Sequence, residues 1–491
     1  MAGAGTFPTL AVEVMMKHYD IIVAGSGAGG VFIAYELTKR SNSASVLFID
    51  KGASLEERLC PISCGKTDHC IKCRPCHIMN GYGGAGGLSD GKYNITTEFG
   101  GDLHKYIGQE KAMELMEYVD SVICDMGGAQ AKLYSTADSD LKTKCLQNDL
   151  HLLQAKVRHL GTDRNLKILG NIYNFIKERV DILFRTEVTD VDKNKDGTFT
   201  LKTVPNGKIV DKGAEEIMSD DGVYTCSDLV LATGRSGSQW ISEICDKFGI
   251  EQQRNRVDIG VRVELPAEVL ESITDKVYES KIVYQTKKYG DLVRTFCMNP
   301  HGEVVSENTG GIVTVNGHSY ASKEKLTENT NFALLVSNTF TEPFKDSNEY
   351  GASIASLSNM LGGGVLMQRF GDLEQGRRTS ERRMLKCFTR PTLNATAGDL
   401  SLVIPKRQLD DIIEMIYALD KIAPGVANED TLLYGVEVKF YNSKVCVDND
   451  LMTVVPNMYA IGDGSGVTHS LSQASASGVY VARILADKYS K

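Results

Sequence analysis

The sequence lacks two features that would place it in other classes of protein. No apolar run approaches the ~20 residues that a membrane-spanning helix needs. Positive charge is not in surplus either, since 54 Lys and Arg residues stand against 63 Asp and Glu residues, a formal net charge of −9. The first absence predicts no membrane partner, and the second predicts no general attraction to nucleic acid.

The N-terminal residues also lack a secretion signal. Residues 1–17 contain acidic Glu13 and show neither the basic start nor the apolar core and cleavage pattern of a signal peptide. We expect these residues to form a disordered extension and the protein to be cytoplasmic. The 12 cysteines are therefore expected to serve metal or redox chemistry rather than disulfide bonds.

The sequence contains no second nucleotide-binding fingerprint besides that at Gly25–Gly30. The glycines Gly362–Gly364 are not preceded by a convincing strand. A dedicated NAD(P)H domain is therefore not expected. Electrons would reach the cofactor from NAD(P)H bound without a dedicated domain, from the substrate itself, or from a protein donor.

What the sequence does contain is organised around the stretch Tyr19–Gly52. An apolar run ends at Gly25, a helical pattern follows Gly30, and a second apolar run ends at Asp50, 20 residues past Gly30. A tight turn at Gly25, a close backbone approach at Gly27 and helix packing at Gly30 are what a bound pyrophosphate requires. Asp50 would accept a hydrogen bond from the adenosine ribose and repel a 2′-phosphate, which favours FAD or NAD over NADP.

A second glycine-rich segment, Gly81–Gly91, has the composition of a cofactor-contacting loop. Its small residues, with Gly84 among them, would let the backbone approach a planar cofactor or its phosphates, and Ser89 adds a polar contact. The alternative is a flexible surface loop. Val188, in the strand-like segment Ile182–Val191, is a further candidate contact.

Two strand ends resemble known flavoprotein motifs. The run Leu229–Ala232 stops at Thr233 and Gly234, like the ATG motif of two-domain flavoproteins. The segment Pro456–Gly464 resembles the second FAD signature of glutathione-reductase-like flavoproteins. That resemblance implies that Asp463, beside Gly464, binds the ribityl chain of FAD. The helix that follows would stabilise charge on a reduced flavin through its dipole.

Five cysteines cluster directly after the fingerprint. They are separated by three, five, two and two residues: Cys60, Cys64, Cys70, Cys73 and Cys76. Two consecutive CxxC steps are typical of a [4Fe–4S] cluster, and zinc would accept the same thiolates. A redox dithiol and a set of unrelated cysteines are the interpretations without a metal.

Candidate catalytic residues are few. Cys297 could act as a redox or acid group facing the flavin, although a lone cysteine is usually a small buried residue. His469 follows the Gly462–Gly466 turn and is a candidate proton donor; the alternative is a solvated residue at a helix start. Arginines concentrated between Gln368 and Lys386 would hold an anionic substrate or form a solvated helical face.

The ordered set of motifs resembles a largely uncharacterised family of bacterial and archaeal FAD-dependent dehydrogenases. Coverage runs from about residue 17 to 488. The resemblance implies FAD and an oxidoreductase, and implies no particular substrate. The motifs are Gly25–Gly30, Cys60-Pro61, Cys70–Cys73, Gly83–Gly86, Ser89–Lys92, Phe296–Pro300, Gly398–Ser401 and Gly462–Gly464.

We therefore expect an α/β fold with a discontinuous Rossmann-type FAD-binding domain and an inserted α+β substrate or cap domain. The expected divisions are the extension 1–17, FAD-binding parts 18–110, 181–240 and 431–491, a helical segment 111–180, and the substrate domain 241–430.

The expected function is hydride transfer between flavin N5 and a small organic substrate held between the two domains. Two alternatives remain. One is an electron-transfer flavoprotein with an iron–sulfur centre at Cys60–Cys76. The other is an FAD-containing module that binds or modifies tRNA or protein.

Overall fold

The computed structural model describes residues 17–40, 43–61, 64–67, 71, 73–137, 140–205, 222–277, 280–309, 311–319, 324, 326–340 and 347–490. The expected N-terminal extension, apart from Lys17, and the cysteine Cys70 lie outside these ranges. Within them, no helix is both long enough and apolar enough to cross a membrane.

The strands, in chain order, are β1 Lys17–Ala24, β2 Val46–Ile49, β3 Lys92–Ile95, β4 Leu133–Ser135, β5 Leu150–Leu152, β6 Lys156–His159, β7 Asp181–Leu183, β8 Thr186–Lys193, β9 Phe199–Pro205, β10 Val223–Leu231, β11 Gln252–Gln253, β12 Val257–Pro266, β13 Ile282–Gln285, β14 Leu292–Asn299, β15 Glu303–Thr309, β16 Ile312–His318, β17 Asn329–Asn338, β18 Leu366–Arg369, β19 Thr396–Ala397, β20 Leu432–Lys439, β21 Lys444–Val445 and β22 Met458–Ala460.

The α-helices are α1 Ala28–Lys39, α2 Gly84–Gly87, α3 Leu103–Ile107, α4 Gln109–Ile123, α5 Asp140–Gln147, α6 Thr162–Ile176, α7 Ser238–Phe248, α8 Glu268–Val277, α9 Ser347–Gly362, α10 Phe370–Glu374, α11 Glu381–Met384, α12 Lys406–Asp420 and α13 Leu471–Lys488.

The first sheet is of Rossmann type. Strands β7, β2, β1 and β10 lie side by side in parallel, and β22 joins the far side of β10. The first half of β10 also pairs with β9, and β9 with β8, as an antiparallel meander. Because β1 and β2 are buried on both faces, they appear in the sequence as continuous apolar runs. The predicted fold class is confirmed.

The second sheet is mostly antiparallel, with the strand order β19-β18-β20-β12-β17-β14-β13-β5. Alternate residues of its central strand β12, such as Val257, Ile259 and Val261, point into an apolar core. That core includes residues of α8, α9 and α12. The intervening residues include Asp258 and Arg262 and give the sheet a polar opposite face, as the period of two requires.

Two predicted boundaries differ from the structure. The boundary at 430 falls before β20, which pairs with β12 and so belongs to the second sheet. The segment 111–180, expected to be helical, also contains strands β4, β5 and β6. Of these, β5 pairs with β13 of the second sheet. The pairing partner of a strand is not encoded in its own apolar pattern, so both differences concern long-range contacts.

Close backbone packing joins the two helices that flank the fingerprint. A Cβ built on Gly478 of α13 would lie 2.1 Å from the carbonyl oxygen of Gly29 in α1. Likewise, a Cβ on Gly30 would lie 2.2 Å from the carbonyl oxygen of Gly25. Only glycine allows these approaches, so the N-terminal and C-terminal segments of the chain pack as one layer.

Replacing Gly478 with alanine should therefore destabilise the protein by about 1–3 kcal/mol, because the new methyl group forces α1 and α13 apart. Thermal unfolding of the purified protein measures the effect as a lowered midpoint.

Gly170→Ala is the matched control, since Gly170 is also helical and its Cβ would meet nothing closer than 3.8 Å. There the better helix propensity of alanine should leave the midpoint unchanged or raise it. Equal midpoints for the two variants would contradict the packing argument.

Candidate functional site

The fingerprint turn joins β1 to α1. Gly25 has φ +111°, and a Cβ there would lie 2.7 Å from the carbonyl oxygen of Ala232 at the end of β10. Gly27 is the N-cap residue of α1, and a Cβ there would meet no protein atom closer than 4.0 Å. The helix thus presents its free N–H groups and the positive end of its dipole beside open space, which suits a phosphate.

Asp50 lies at the end of β2, beside this turn, and is buried. One carboxylate oxygen accepts hydrogen bonds of 2.7 Å from the backbone N–H and the hydroxyl of Ser26. The other accepts a 2.7 Å bond from the backbone N–H of Gly52. Asp50 therefore fixes the fingerprint turn itself, and its assignment as the ribose ligand stays a prediction.

The second glycine loop lies directly against the first. The backbone N–H of Gly83 donates to the carbonyl oxygen of Ser26 over 2.7 Å. A Cβ on Gly84 would lie 3.0 Å from the Cα of Gly27. Ser89 uses its hydroxyl to close its own turn onto the carbonyl oxygen of Gly86, at 2.7 Å. The two loops together present an extended backbone surface at the start of α1.

Arg58 holds this surface in place, and no spacing in the sequence indicated it. Its buried guanidinium donates to the backbone carbonyl oxygens of His77, Ile78 and Tyr82 at 2.6–3.0 Å. Burial lowers the pKa of Arg58 to about 10, although Asp50 opposes the shift. Arg58 thereby ties the end of the cysteine-rich loop to the glycine loop.

The C-terminal motif Pro456–Gly464 contacts the segment Thr233–Gly234 at the end of β10. A Cβ on Gly464 would lie 1.9 Å from the carbonyl oxygen of Thr233, so only glycine fits there. Asp463 accepts a 3.0 Å hydrogen bond from the hydroxyl of Thr468. Burial raises the pKa of Asp463 to about 6, while the positive charge of Arg235 acts in the opposite direction.

These residues fit FAD. The hydroxyl of Thr233 is buried and, among the described residues, has no hydrogen-bond partner. A Cβ on Gly234 or Gly462 would meet nothing within 4 Å, so these glycines face open space instead of a packed neighbour. A buried carboxylate with a raised pKa also calls for hydroxyl donors, which a ribityl chain carries. Val188 is buried on β8 in the same sheet.

His469 lies near Asp463 but in an environment that disfavours a charged ring. Its imidazole packs edge to face on Tyr441, with the ring centroids 4.8 Å apart. Burial, together with the neighbouring cation Arg256, lowers the pKa of His469 to about 4. At neutral pH the ring is therefore uncharged and is a weak acid. The prediction of a proton-donor role stays untested.

Cys297 lies on β14 in the second sheet, beside a register shift between Phe296 and Asn299. Its side chain is half-buried. Its carbonyl oxygen accepts a 2.8 Å hydrogen bond from Arg262, which forms a buried ion pair with Glu437. The structure thus gives the backbone at Cys297 a structural role, and a chemical role for the thiol stays a prediction.

A group of polar residues on the second sheet adjoins His469, and the sequence motifs did not indicate it. The Tyr441 hydroxyl donates to Asp258 over 2.6 Å. Two arginines flank the same carboxylate, Arg256 at 3.6 Å and Arg294 at 3.9 Å. Asn442, next to Tyr441, donates to the carbonyl oxygen of Asp463 over 2.9 Å. This group, the Asp258 cluster, joins the polar face of the second sheet to the candidate FAD site.

The cysteine-rich loop borders the other end of the fingerprint. Cys73 and Cys76 line a pocket together with Lys51, Arg74 and Arg185. Gly52 and Ala53, just past Asp50, line the same pocket. The cysteines thus lie beside the residues that follow Asp50, and their proximity to the adenosine end of the cofactor stays a prediction.

No metal site emerges from these cysteines. Cys60, Cys64 and Cys76 form no disulfide bond among the described residues. In the part of the chain that the structure describes, no three His, Cys, Asp or Glu side chains form a group that could hold a metal. Cys70 lies outside that part. An iron–sulfur cluster or zinc is thus unsupported and stays a prediction.

The arginine-rich segment has an internal explanation. Arg369, Arg377 and Arg383 lie 3.5, 2.7 and 3.7 Å from Asp372, whose side chain is fully buried. Arg369 also pairs with Asp430. Three guanidinium groups thus share two carboxylates, so ion pairs within the fold compensate most of their charge, and an anionic substrate at this segment stays a prediction.

Replacing Asp463 with asparagine should have opposite effects with and without FAD. Since its folded pKa of about 6 exceeds the ordinary 3.8, the charged carboxylate destabilises the fold above pH 6. Without FAD, the variant should be more stable than the wild type by roughly 2–3 kcal/mol at pH 8, and the gain should vanish below about pH 4.

With FAD, the variant should lose an acceptor for the cofactor and retain less FAD on gel filtration. Apo and FAD-loaded melting curves at pH 4.5 and 8 measure both effects. Unchanged FAD retention would remove Asp463 from the cofactor site.

Comparison with known proteins supports the cofactor assignment. Residues 256–440 match the family model described as "FAD-dependent protein, C-terminal domain-like". None of the curated proteins matches the sequence.

Solved structures resemble this chain only weakly, with low sequence identities and low TM-scores. Glycine oxidase from Geobacillus kaustophilus has 10% identity and a TM-score of 0.40, covering 97% of this chain and 96% of its own. L-proline dehydrogenase from P. horikoshii has 14% identity and a TM-score of 0.40, covering 97% and 96%. A 3-ketosteroid dehydrogenase from Rhodococcus jostii has 12% identity and a TM-score of 0.44, covering 98% and 99%.

These low values carry no argument about chemistry. The family match rests on the second sheet and its helices and agrees with the expected FAD-dependent oxidoreductase. Over residues 256–440 the chain is thus similar to the C-terminal domain of FAD-dependent proteins, which confirms the resemblance that its motifs predict.

Proposed function

We propose that the protein is an FAD-dependent dehydrogenase that acts on a small organic substrate held between the first sheet and the polar face of the second. The observation that carries this proposal is the unbroken line of contacts from Asp463 through Thr468, His469 and Tyr441 to Asp258. In this proposal the buried polar surface at Asp258 would lie beside the flavin, because Asp463 would hold the ribityl chain. Ligand sites commonly form at such interfaces.

The chain's own residues would bind the cofactor and shape its surroundings. The N-terminus of α1 would hold the pyrophosphate, and Asp463 with Thr233 would hold the ribityl chain. When bound, FAD supplies the hydride acceptor or donor at N5. The helix α13 begins just past His469, so its N-terminal dipole would favour negative charge near the ring.

The second sheet would orient the substrate and exclude water. Asp258 is fully buried, and the Tyr441 hydroxyl fixes one of its oxygens. Tyr441 in turn packs on the neutral ring of His469. These contacts hold the surface rigid, which is what correct placement of a substrate carbon over a flavin requires.

The electron source is a separate proposal. Electron entry at the pocket shared by Gly52, Cys73 and Cys76, from a protein donor or from NAD(P)H, would require a cysteine disulfide or a metal cluster there, because a thiol accepts no electrons. A substrate that reduces the flavin directly would need no such entry. No nucleic-acid or membrane partner is invoked, and the predicted cytoplasmic location awaits a direct measurement.

Anaerobic reduction of the FAD-loaded protein should separate these routes. NADH, NADPH and dithionite are added in turn to the wild type and to Cys73→Ala, and the flavin absorbance band is followed. If the cysteine loop is an obligatory entry, the variant should be reduced by NAD(P)H at least about tenfold more slowly, with equal reduction by dithionite.

Cys245→Ala is the matched control, because Cys245 lies on the buried face of α7 and is not among the residues that line the pocket with Cys73 and Cys76. Equal bleaching of all three proteins by NADH would exclude an obligatory cysteine route. Iron, sulfide and zinc analysis of the wild type tests the metal predictions. A flavin that no organic donor reduces would count against the dehydrogenase proposal itself.

A further inference from the structure

Arg294 occupies an unusual position in the Asp258 cluster. It lies on β14, with its guanidinium 4.1 Å from the ring centroid of Phe296 two residues along the same strand. Its side chain is only 16% exposed. Burial lowers the pKa of Arg294, as expected for a cation that has lost much of its water.

The guanidinium lacks the partners that such burial normally requires. Its nearest carboxylate oxygen, on Asp258, is 3.9 Å away, beyond hydrogen-bond distance. None of the hydrogen bonds among the described residues uses its five N–H groups. A buried donor without an acceptor costs about 1–3 kcal/mol, and more when charged.

The charges around it do not balance. Arg256 and Arg294 both lie near Asp258, so two positive charges share one negative charge. One oxygen of Asp258 is already bonded to Tyr441, and the other has no hydrogen-bond partner among the described residues. The cluster therefore carries one uncompensated positive charge and unused donors on the same surface.

The surface beside Arg294 is apolar. Phe296, Ala333 and Leu335 form a small buried cluster on the same face of the sheet. Lys281 lies over Phe296, with its Nζ 5.7 Å from the ring centroid, and lies 5.9 Å from the ring centroid of Phe99 in the first half of the chain. Ala333 and Leu335 are fully buried and Phe296 is nearly so, so this cluster is the packed layer on which Arg294 rests.

We propose that Arg294 binds the carboxylate of the substrate, and that the substrate is a small carboxylic acid. The planar fork of arginine matches a carboxylate with two parallel hydrogen bonds. A single uncompensated charge fits a monoanion better than a phosphate dianion. The proposal rests on the proposed function for the position of the flavin beside this cluster.

Binding of a carboxylate to the oxidised FAD-loaded protein tests the assignment without turnover. Benzoate and its neutral isostere benzamide are titrated while the flavin absorbance band is followed. Wild type should bind benzoate about 10- to 100-fold more tightly than benzamide. Arg294→Gln should lose that preference, and Arg294→Lys should keep part of it, since the charge remains while the fork is lost.

Arg407→Gln is the matched control, because Arg407 is an exposed arginine of α12 that pairs with Asp291 and is not part of the cluster. It should bind benzoate as the wild type does. If Arg294→Gln fails to bind FAD, the benzoate affinity of Arg294→Lys and the ratio of benzoate to benzamide affinities of the wild type still test whether Arg294 binds a carboxylate.

Three outcomes would overturn the assignment: equal affinities for benzoate and benzamide, an unchanged benzoate affinity in both Arg294 variants, or stronger competition by inorganic phosphate than by benzoate. Arg294-dependent benzoate binding in a protein that no organic donor reduces would support the anion site and count only against the dehydrogenase proposal.

Discussion

The close contact between Gly464 and the carbonyl oxygen of Thr233 is the constraint on which the cofactor site depends. It brings the end of β10 and the turn after β22 within van der Waals contact, although more than two hundred residues separate them in sequence. Close backbone contacts that leave little room for a Cβ also occur between Gly478 and Gly29 and between Gly84 and Gly27. Each pair lets two distant segments approach without side chains between them.

Burial shifts the pKa values of Asp463 and His469 in opposite directions. It raises the pKa of Asp463 and lowers that of His469, because in each case the uncharged form is favoured away from water. The cations around His469 add to its shift, whereas Arg235 resists the shift of Asp463. Both groups therefore carry less charge at neutral pH than they would in water.

Sequence alone predicted the parts of the site that local backbone geometry dictates. Gly25, Gly30 and Gly464 are recognisable because a turn or a close approach admits only glycine, and the apolar runs before them mark buried strands. The Rossmann-type sheet follows from these local signals. The resemblance of the ordered motifs then supplied the cofactor.

The remainder depends on contacts between distant segments. Arg58, Asp258 and Arg294 carry no spacing signature, since their partners lie far along the chain. The same reason explains the early boundary at 430, because β20 looks like any buried strand until its partner β12 is known. The arginine-rich sequence suggested either a substrate site or a solvated helical face. In the structure, Arg369 and Arg377 instead pair with the buried Asp372, which the local sequence pattern does not reveal.

The chain leaves β20 and, within six residues, makes three attachments to the cofactor-binding half. Tyr441 packs on His469, Asn442 donates to the carbonyl oxygen of Asp463, and Lys444 pairs with Asp102. A hinge motion of one sheet away from the other would break all three at once. Opening a cleft between the two sheets would therefore cost these three contacts together, which opposes a hinge motion at this end of β20.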